Sequence, residues 1–181
     1  MRNGSAEGFT LLELLLVVAI IGLLAAIAVP GLLRARTAAN ESSAIASLRI
    51  VNSSQHAYMS SCGNGFYAST LPILADATSV GTAFISPDLG GSTIIDKSGY
   101  RLRMAQGSEA VVATRDGCNP LGVAASLYSS YYASNEPVMP GQSGTRWLWT
   151  NTLGTIYFSY ADDFIGVQAG TGAPGAGAPL Q

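Results

Sequence analysis

Gly8-Phe9-Thr10-Leu11-Leu12-Glu13-Leu14-Leu15-Leu16-Val17-Val18-Ala19-Ile20-Ile21-Gly22-Leu23-Leu24-Ala25-Ala26-Ile27-Ala28-Val29-Pro30 is the stretch on which the fold turns. From Leu14 to Leu33 the chain runs twenty positions without a charge, and Phe9 to Leu12 extend the apolar character upstream across Glu13. At about 1.5 Å per residue, such a helix spans about 30 Å, the thickness of a bilayer's hydrocarbon core. A secretory signal has a shorter apolar region, about 7–15 residues, followed by a small-x-small cleavage site and polar sequence. Here the run is longer, and helical sequence continues beyond it. Gly22 and Pro30 weaken a soluble helix by about 1 and 3 kcal/mol relative to Ala, but membrane helices tolerate both. Gly22 and Ala26 place small residues one turn apart, which permits close helix contact. Glu13 is the costly residue. A carboxylate at mid-bilayer costs about 3 kcal/mol and marks function, whereas one near the interface reaches water.

Over the whole chain the composition is that of neither a typical cytosolic enzyme nor a disordered chain. Of 181 residues, 48% are hydrophobic, only 11% are charged and 21 are Gly, against about 25% charged in a typical soluble protein. Nine Lys and Arg against eleven Asp and Glu give a formal charge of −2. No basic stripe is left to neutralise a nucleic-acid backbone, so no nucleic-acid partner is expected.

Past Pro30, Ala35, Ala38, Ala39, Ala44, Leu48, Val51, Gln55 and Tyr58 recur mostly at steps of three or four. This spacing predicts a continuing amphipathic helix, with Arg34, Arg36, Glu41 and Arg49 on a solvated or subunit-facing side. A single helix from Phe9 to about Tyr58 would be about 75 Å long, more than a bilayer needs, so its second half must pack on something else. Ser61-Cys62-Gly63-Asn64-Gly65 supplies a stop. A short helical turn is expected at Leu71 to Ala77. Strands are expected at Tyr100–Ala105, Ala110–Thr114, Ser126–Ala133, Thr145–Thr150 and Thr155–Tyr160, with a hairpin turn at Asn151-Thr152-Leu153-Gly154. Trp147 and Trp149 flank Leu148 on a strand, and Tyr128 and Tyr132 flank Ser130; they read as core or subunit contacts. Residues 169–181, nearly all Gly, Ala, Pro and Thr, read as a flexible tail.

Catalytic chemistry is hard to build from these residues. His56 is the one histidine and lies on the continuing helix, where it reads as a packed or interfacial side chain. No Gly-x-Ser-x-Gly elbow accompanies it. No enzyme activity, metal or cofactor is expected.

The segment from Gly8 to Pro30 resembles the class III signal of type IV prepilins and type II secretion pseudopilins. The likeness rests on a glycine, an aromatic residue, an acid and an uncharged run in fixed order: Gly8, Phe9, Glu13 and Leu14 onward. It implies that a prepilin peptidase cuts between Gly8 and Phe9 and that the new amine of Phe9 is N-methylated. Loss of eight residues would leave 173, and because Arg2 and Glu7 leave together the side-chain charge stays −2. Glu13 would then pair with the amine at Phe9 of a neighbouring subunit, lessening the penalty of burying either charge alone and fixing axial register. The stretch between Gly22 and Pro30 would unwind on assembly.

The resemblance implies an α+β, pilin-like fold: a long N-terminal helix, membrane-spanning in its first half, packed against an antiparallel β-sheet head. Tyr100–Met104 and Gly144–Trp149 also look like pilin head strands. The expected organisation is a leader at 1–8, a transmembrane and filament-core half-helix at 9–33, an amphipathic half-helix at 34–60, a globular head at 61–168 and a tail at 169–181. The implied function is that of a structural subunit of a type IV pilus-like filament, and the alternative is a type II secretion pseudopilin. A signal-anchored secreted binding protein is a further reading. The implied partners are copies of the same chain, the peptidase and methyltransferase, an assembly platform and ATPase, and inner-membrane lipid. Before assembly the chain would cross the bacterial inner membrane once with its head outside the cytoplasm; afterwards it would lie in a surface pilus or periplasmic pseudopilus. With that topology a Cys62–Cys118 disulfide is expected, closing a loop worth about 4 kcal/mol, against the alternative of two free thiols. Asp162-Asp163, with Asp88 and Asp96, are acids of the kind that hold calcium in some pseudopilin heads; adjacent acids also make a solvated turn, and no EF-hand pattern is present.

Overall fold

The structure is a computed structural model that describes residues 8–78, 81–161, 170–175 and 177–180. Its first element, α1 (Leu11–Ser61), is a helix of 51 residues that runs unbroken through Gly22 and Pro30. The chain divides into two compact units, Met1–Arg36 and Thr37–Gln181. In the first, every described residue is exposed.

In the second unit α1 buries Glu41, Ala44, Ser47, Leu48, Val51, Asn52, Ser54, Gln55 and Tyr58. These positions make one helix face, as the three-and-four spacing requires. The face starts later than the apolar spacing implies, because Ala35, Ala38 and Ala39 are exposed. The helix stops where Gly63 N–H donates to the Tyr58 carbonyl at 2.7 Å, and Gly65 N–H to that of Met59 at 3.0 Å. A Cβ on Gly63 would lie 2.1 Å from the Phe66 carbonyl oxygen, so glycine is required there.

After α1 come β1 (Tyr67–Ala68), α2 (Leu71–Ala75), α3 (Pro87–Gly90), β2 (Ile94–Lys97), β3 (Tyr100–Gln106), β4 (Leu127–Tyr128), β5 (Tyr131–Pro137), β6 (Trp147–Asn151), β7 (Ile156–Ser159) and β8 (Ala178–Pro179). Six strands form an antiparallel sheet in the order β2-β3-β5-β6-β7-β8, and β1 pairs with β4 in a separate ribbon. Alternate residues of the central strands, Tyr100, Leu102 and Met104 on β3 and Tyr131 and Ala133 on β5, join Leu48, Val51 and Tyr58 of α1 in one core. The long helix and antiparallel sheet are the expected α+β, pilin-like architecture.

Several boundaries differ from expectation. Residues 110–114 form no strand; Val112 makes only an isolated bridge to Tyr128. The run from Ser126 to Ala133 is split, because β4 pairs with β1 while β5 pairs with β3 and β6. The aromatic core residue of this region is therefore Tyr131, whereas Tyr128 and Tyr132 are half-buried. Trp149 is fully buried, on the face of β6 opposite Leu148, with its ring 5.9 Å from that of Tyr157. β2 lacked a strong sequence signal. Within the segment expected to be a flexible tail, Ala178 and Pro179 pair with Phe158 and Tyr157.

Much of the helix-to-sheet contact is polar. Asn52 donates to the Thr150 hydroxyl (2.9 Å) and the Gly154 carbonyl (3.0 Å), and accepts from the Tyr131 phenol (2.9 Å). Gln55, wholly buried, bonds to both the N–H and the carbonyl of Ala68. Glu41 corrects the expectation of a solvated acid: it is 7% exposed. Its carboxylate accepts from the Thr145 N–H (2.9 Å) and hydroxyl (2.8 Å) and from the Arg146 guanidinium (2.8 Å). Helical spacing places Glu41 three residues before Ala44 on the buried face, and a charge there is tolerable only with partners. Burial pushes its carboxyl up, but the bonds from Thr145 and Arg146 outweigh this and hold it below the ordinary value of 4.5. A depressed folded-state pKa contributes stability above the unfolded value and loses it as pH falls through the folded one. The melting temperature of the full chain is therefore expected to drop as pH falls from about 5 to about 3, through the carboxylate range. Glu41→Gln should be less stable at pH 7 and flatter across that interval. An equally steep acid profile in the variant would remove Glu41 as the cause.

Candidate functional site

The N-terminal end of α1 is built around Thr10. Its hydroxyl accepts the Glu13 N–H at 3.2 Å, while the Glu13 carboxylate accepts the Thr10 N–H at 3.0 Å and its hydroxyl at 2.8 Å. This is a reciprocal capping box, which satisfies donors left over at a helix start. The pattern Thr10-x-x-Glu13 before an apolar run is readable in the sequence, yet it is overshadowed there by the cost of placing Glu13 in a membrane segment. The carboxylate thus has a role within its own chain.

Around this cap the surface is open. Phe9 is 78% exposed, and a Cβ on Gly8 would meet nothing within 4 Å. Residues 1–7, the rest of the expected leader, lie outside the described residues. From Leu11 to Leu33 the large apolar side chains are all exposed, and none of the most apolar 18-residue window is buried inside the protein. A contiguous apolar surface of this size marks a membrane or protein contact. A Cβ on Gly22 would likewise meet nothing within 4 Å, and Pro30 is inside the helix.

The other singled-out residues are dispersed. Cys62 and Cys118 are joined by a disulfide. Nearby, the Tyr58 phenol donates to the Asn119 side-chain oxygen at 3.0 Å, and burial, with the Asp76 charge, pushes its pKa up to about 12. His56 is exposed, edge-on to Tyr67 at 6.1 Å. Asp88 pairs with Lys97 and Asp96 with Arg101; Asp162 and Asp163 lie outside the described residues. Among the described residues no three His, Cys, Asp or Glu side chains group as metal ligands.

A family sequence model described as the prokaryotic N-terminal methylation motif matches residues 4–29, which span Gly8, Phe9, Glu13 and Gly22. The type IV wide pilus major component PilA4 of Thermus thermophilus is 61% identical over 41 residues. These matches support the type IV pilin family. The alignment covers 23% of this chain and 30% of the relative, so the chain is matched over less than a third of that pilin's length. No solved structure matches significantly. The pilin signal therefore rests on the N-terminal segment, while the α+β head comes from the fold.

Proposed function

We propose that this chain is stored in the bacterial inner membrane by residues 9–33 of α1, with its head outside the cytoplasm, and is then assembled into a type IV pilus-like filament. The observation that carries the reading is the match to the methylation motif at residues 4–29, which from Leu11 onward lies on an apolar helix that its own protein leaves uncovered. In this reading 1–8 is the leader, 34–60 the amphipathic half-helix, 61–168 the head and 169–181 the tail. A prepilin peptidase removes the leader after Gly8 and Phe9 is N-methylated. Glu13 pairs with the methylated amine of a neighbouring Phe9. Exposed Gly22 and helix-interior Pro30 are the weak points at which the helix unwinds as lipid contacts are exchanged for those of other subunits. An assembly ATPase and a platform protein drive the extraction, and the resulting filament stands at the cell surface.

Intact mass and N-terminal sequencing of sheared surface filaments and of the membrane fraction test this. The expected result is abundant sheared protein beginning with methylated Phe9. Processed protein confined to the membrane would transfer the reading to a pseudopilin. A different N-terminus would end the prepilin reading.

A further inference from the structure

Arg34 and Arg36 are the first charges after the twenty-residue apolar run, and both are exposed. Among the described residues neither has an ion-pair partner; the ion pairs join Lys97 to Asp88, Arg101 to Asp96, Arg103 to Glu136 and Arg146 to Glu41. If Leu14–Leu33 fills the hydrocarbon core, Arg34 emerges at its edge and Arg36 about 3 Å further out, at phosphate depth. The two residues lie about 200° apart around the helix, so they face lipid on opposite sides. Ala35, Ala38 and Ala39 between and beyond them are small and exposed, which leaves each guanidinium room to reach a headgroup. Its planar donor fork suits a phosphate.

The placement also needs a cause. One arginine, Arg2, precedes the apolar run and two follow it closely, whereas cations normally gather on the cytoplasmic side of a membrane helix. In the proposed orientation the excess lies on the opposite side.

We propose that Arg34 and Arg36 bind anionic phospholipid headgroups of the leaflet on the head's side of the membrane, each arginine holding its own lipid. This inference rests on the membrane-storage reading above. It makes the pair a depth stop for the waiting subunit, and extraction then requires both lipids to be left behind. A convex helix surface offers a free phosphate ion one guanidinium at a time, whereas a bilayer presents headgroups at high local density, which favours lipid.

The test uses the full chain in detergent, titrated with phosphatidylglycerol or phosphatidylcholine of matched acyl chains and read by native mass spectrometry. Phosphatidylglycerol should be preferred. Arg34→Gln and Arg36→Gln should each lower that preference about fivefold, the equivalent of about 1 kcal/mol per cation at an anionic surface. The double variant should lose about 25-fold, the product expected of independent sites, while Arg-to-Lys variants, which keep the charge but lose the fork, should lose less than the Gln variants. Equal binding of both lipids, or an undiminished preference in the double variant, overturns the proposal. So does loss of all preference in one single variant, which would mean a shared pocket. Displacement of the lipid by equimolar inorganic phosphate would assign a bare anion site instead. Unchanged lipid preference with impaired self-association would give the arginines to a neighbouring subunit. Failure of the wild-type chain to float with vesicles would sink the membrane-storage reading itself.

Discussion

Cells carrying Glu13→Ala should yield far less shearable filament than wild type, on the order of a hundredfold, while processed protein accumulates in the membrane. Removing one partner of a buried ion pair costs about 3–5 kcal/mol, which is a hundredfold or more in an assembly equilibrium. The proposed pairing must be separated from the observed contact of Glu13, because its carboxylate closes the cap with Thr10. Loss of a cap destabilises a helix by about 1 kcal/mol. Glu13→Gln distinguishes the two: glutamine also completes a capping box, but it carries no charge to set against the Phe9 amine. We expect it to fail in assembly nearly as badly as alanine. Wild-type filament yield from the glutamine variant would reduce Glu13 to a helix cap, and the charge-pairing part of the proposed function would fall.

Replacing Cys62 and Cys118 together by Ser should cost about 4 kcal/mol, since the bond closes a separation of 56 residues and the chain-entropy account scales with the logarithm of the loop. Against a total stability of about 5–15 kcal/mol for a domain, this is a large fraction. For a chain of this size the melting temperature should fall by about 8–16 °C. The loosened region should be local. Cys118 N–H donates to the Cys62 carbonyl at 3.1 Å, and Asn119 ties the same loop to Tyr58 and to the Ile73 carbonyl. Hydrogen exchange should therefore rise first around Gly117 to Gly122, with the Leu48 and Val51 region of α1 protected longest. A melting temperature within about 2 °C of wild type would show that these hydrogen bonds hold the loop without the cross-link, a smaller effect than the loop length predicts.

The N-terminal half of this protein was legible because its determinants are local. Leu14 to Leu33 specify an uncharged helix by composition alone, and Gly8, Phe9 and Glu13 are recognised by their order along the chain. Even the cap at Thr10 and Glu13 follows from a four-residue pattern. The spacing of Leu48, Val51, Gln55 and Tyr58 likewise marked a buried face. What the linear pattern did not reveal depends on partners far apart in the chain. Glu41 looks like a solvated acid until Thr145 and Arg146, more than a hundred residues on, converge on it. Val112 has the neighbours of a strand residue, yet it makes a single bridge. Ala178 and Pro179 pair with β7 although their composition reads as a tail. Local sequence determined the membrane-competent helix and the methylation-motif match at residues 4–29, because helix formation, hydrophobicity and motif order are properties of neighbouring residues. The tertiary structure decided which polar groups could be buried and which short segments became strands, because a charge or a strand edge is stabilised only by partners that folding brings to it.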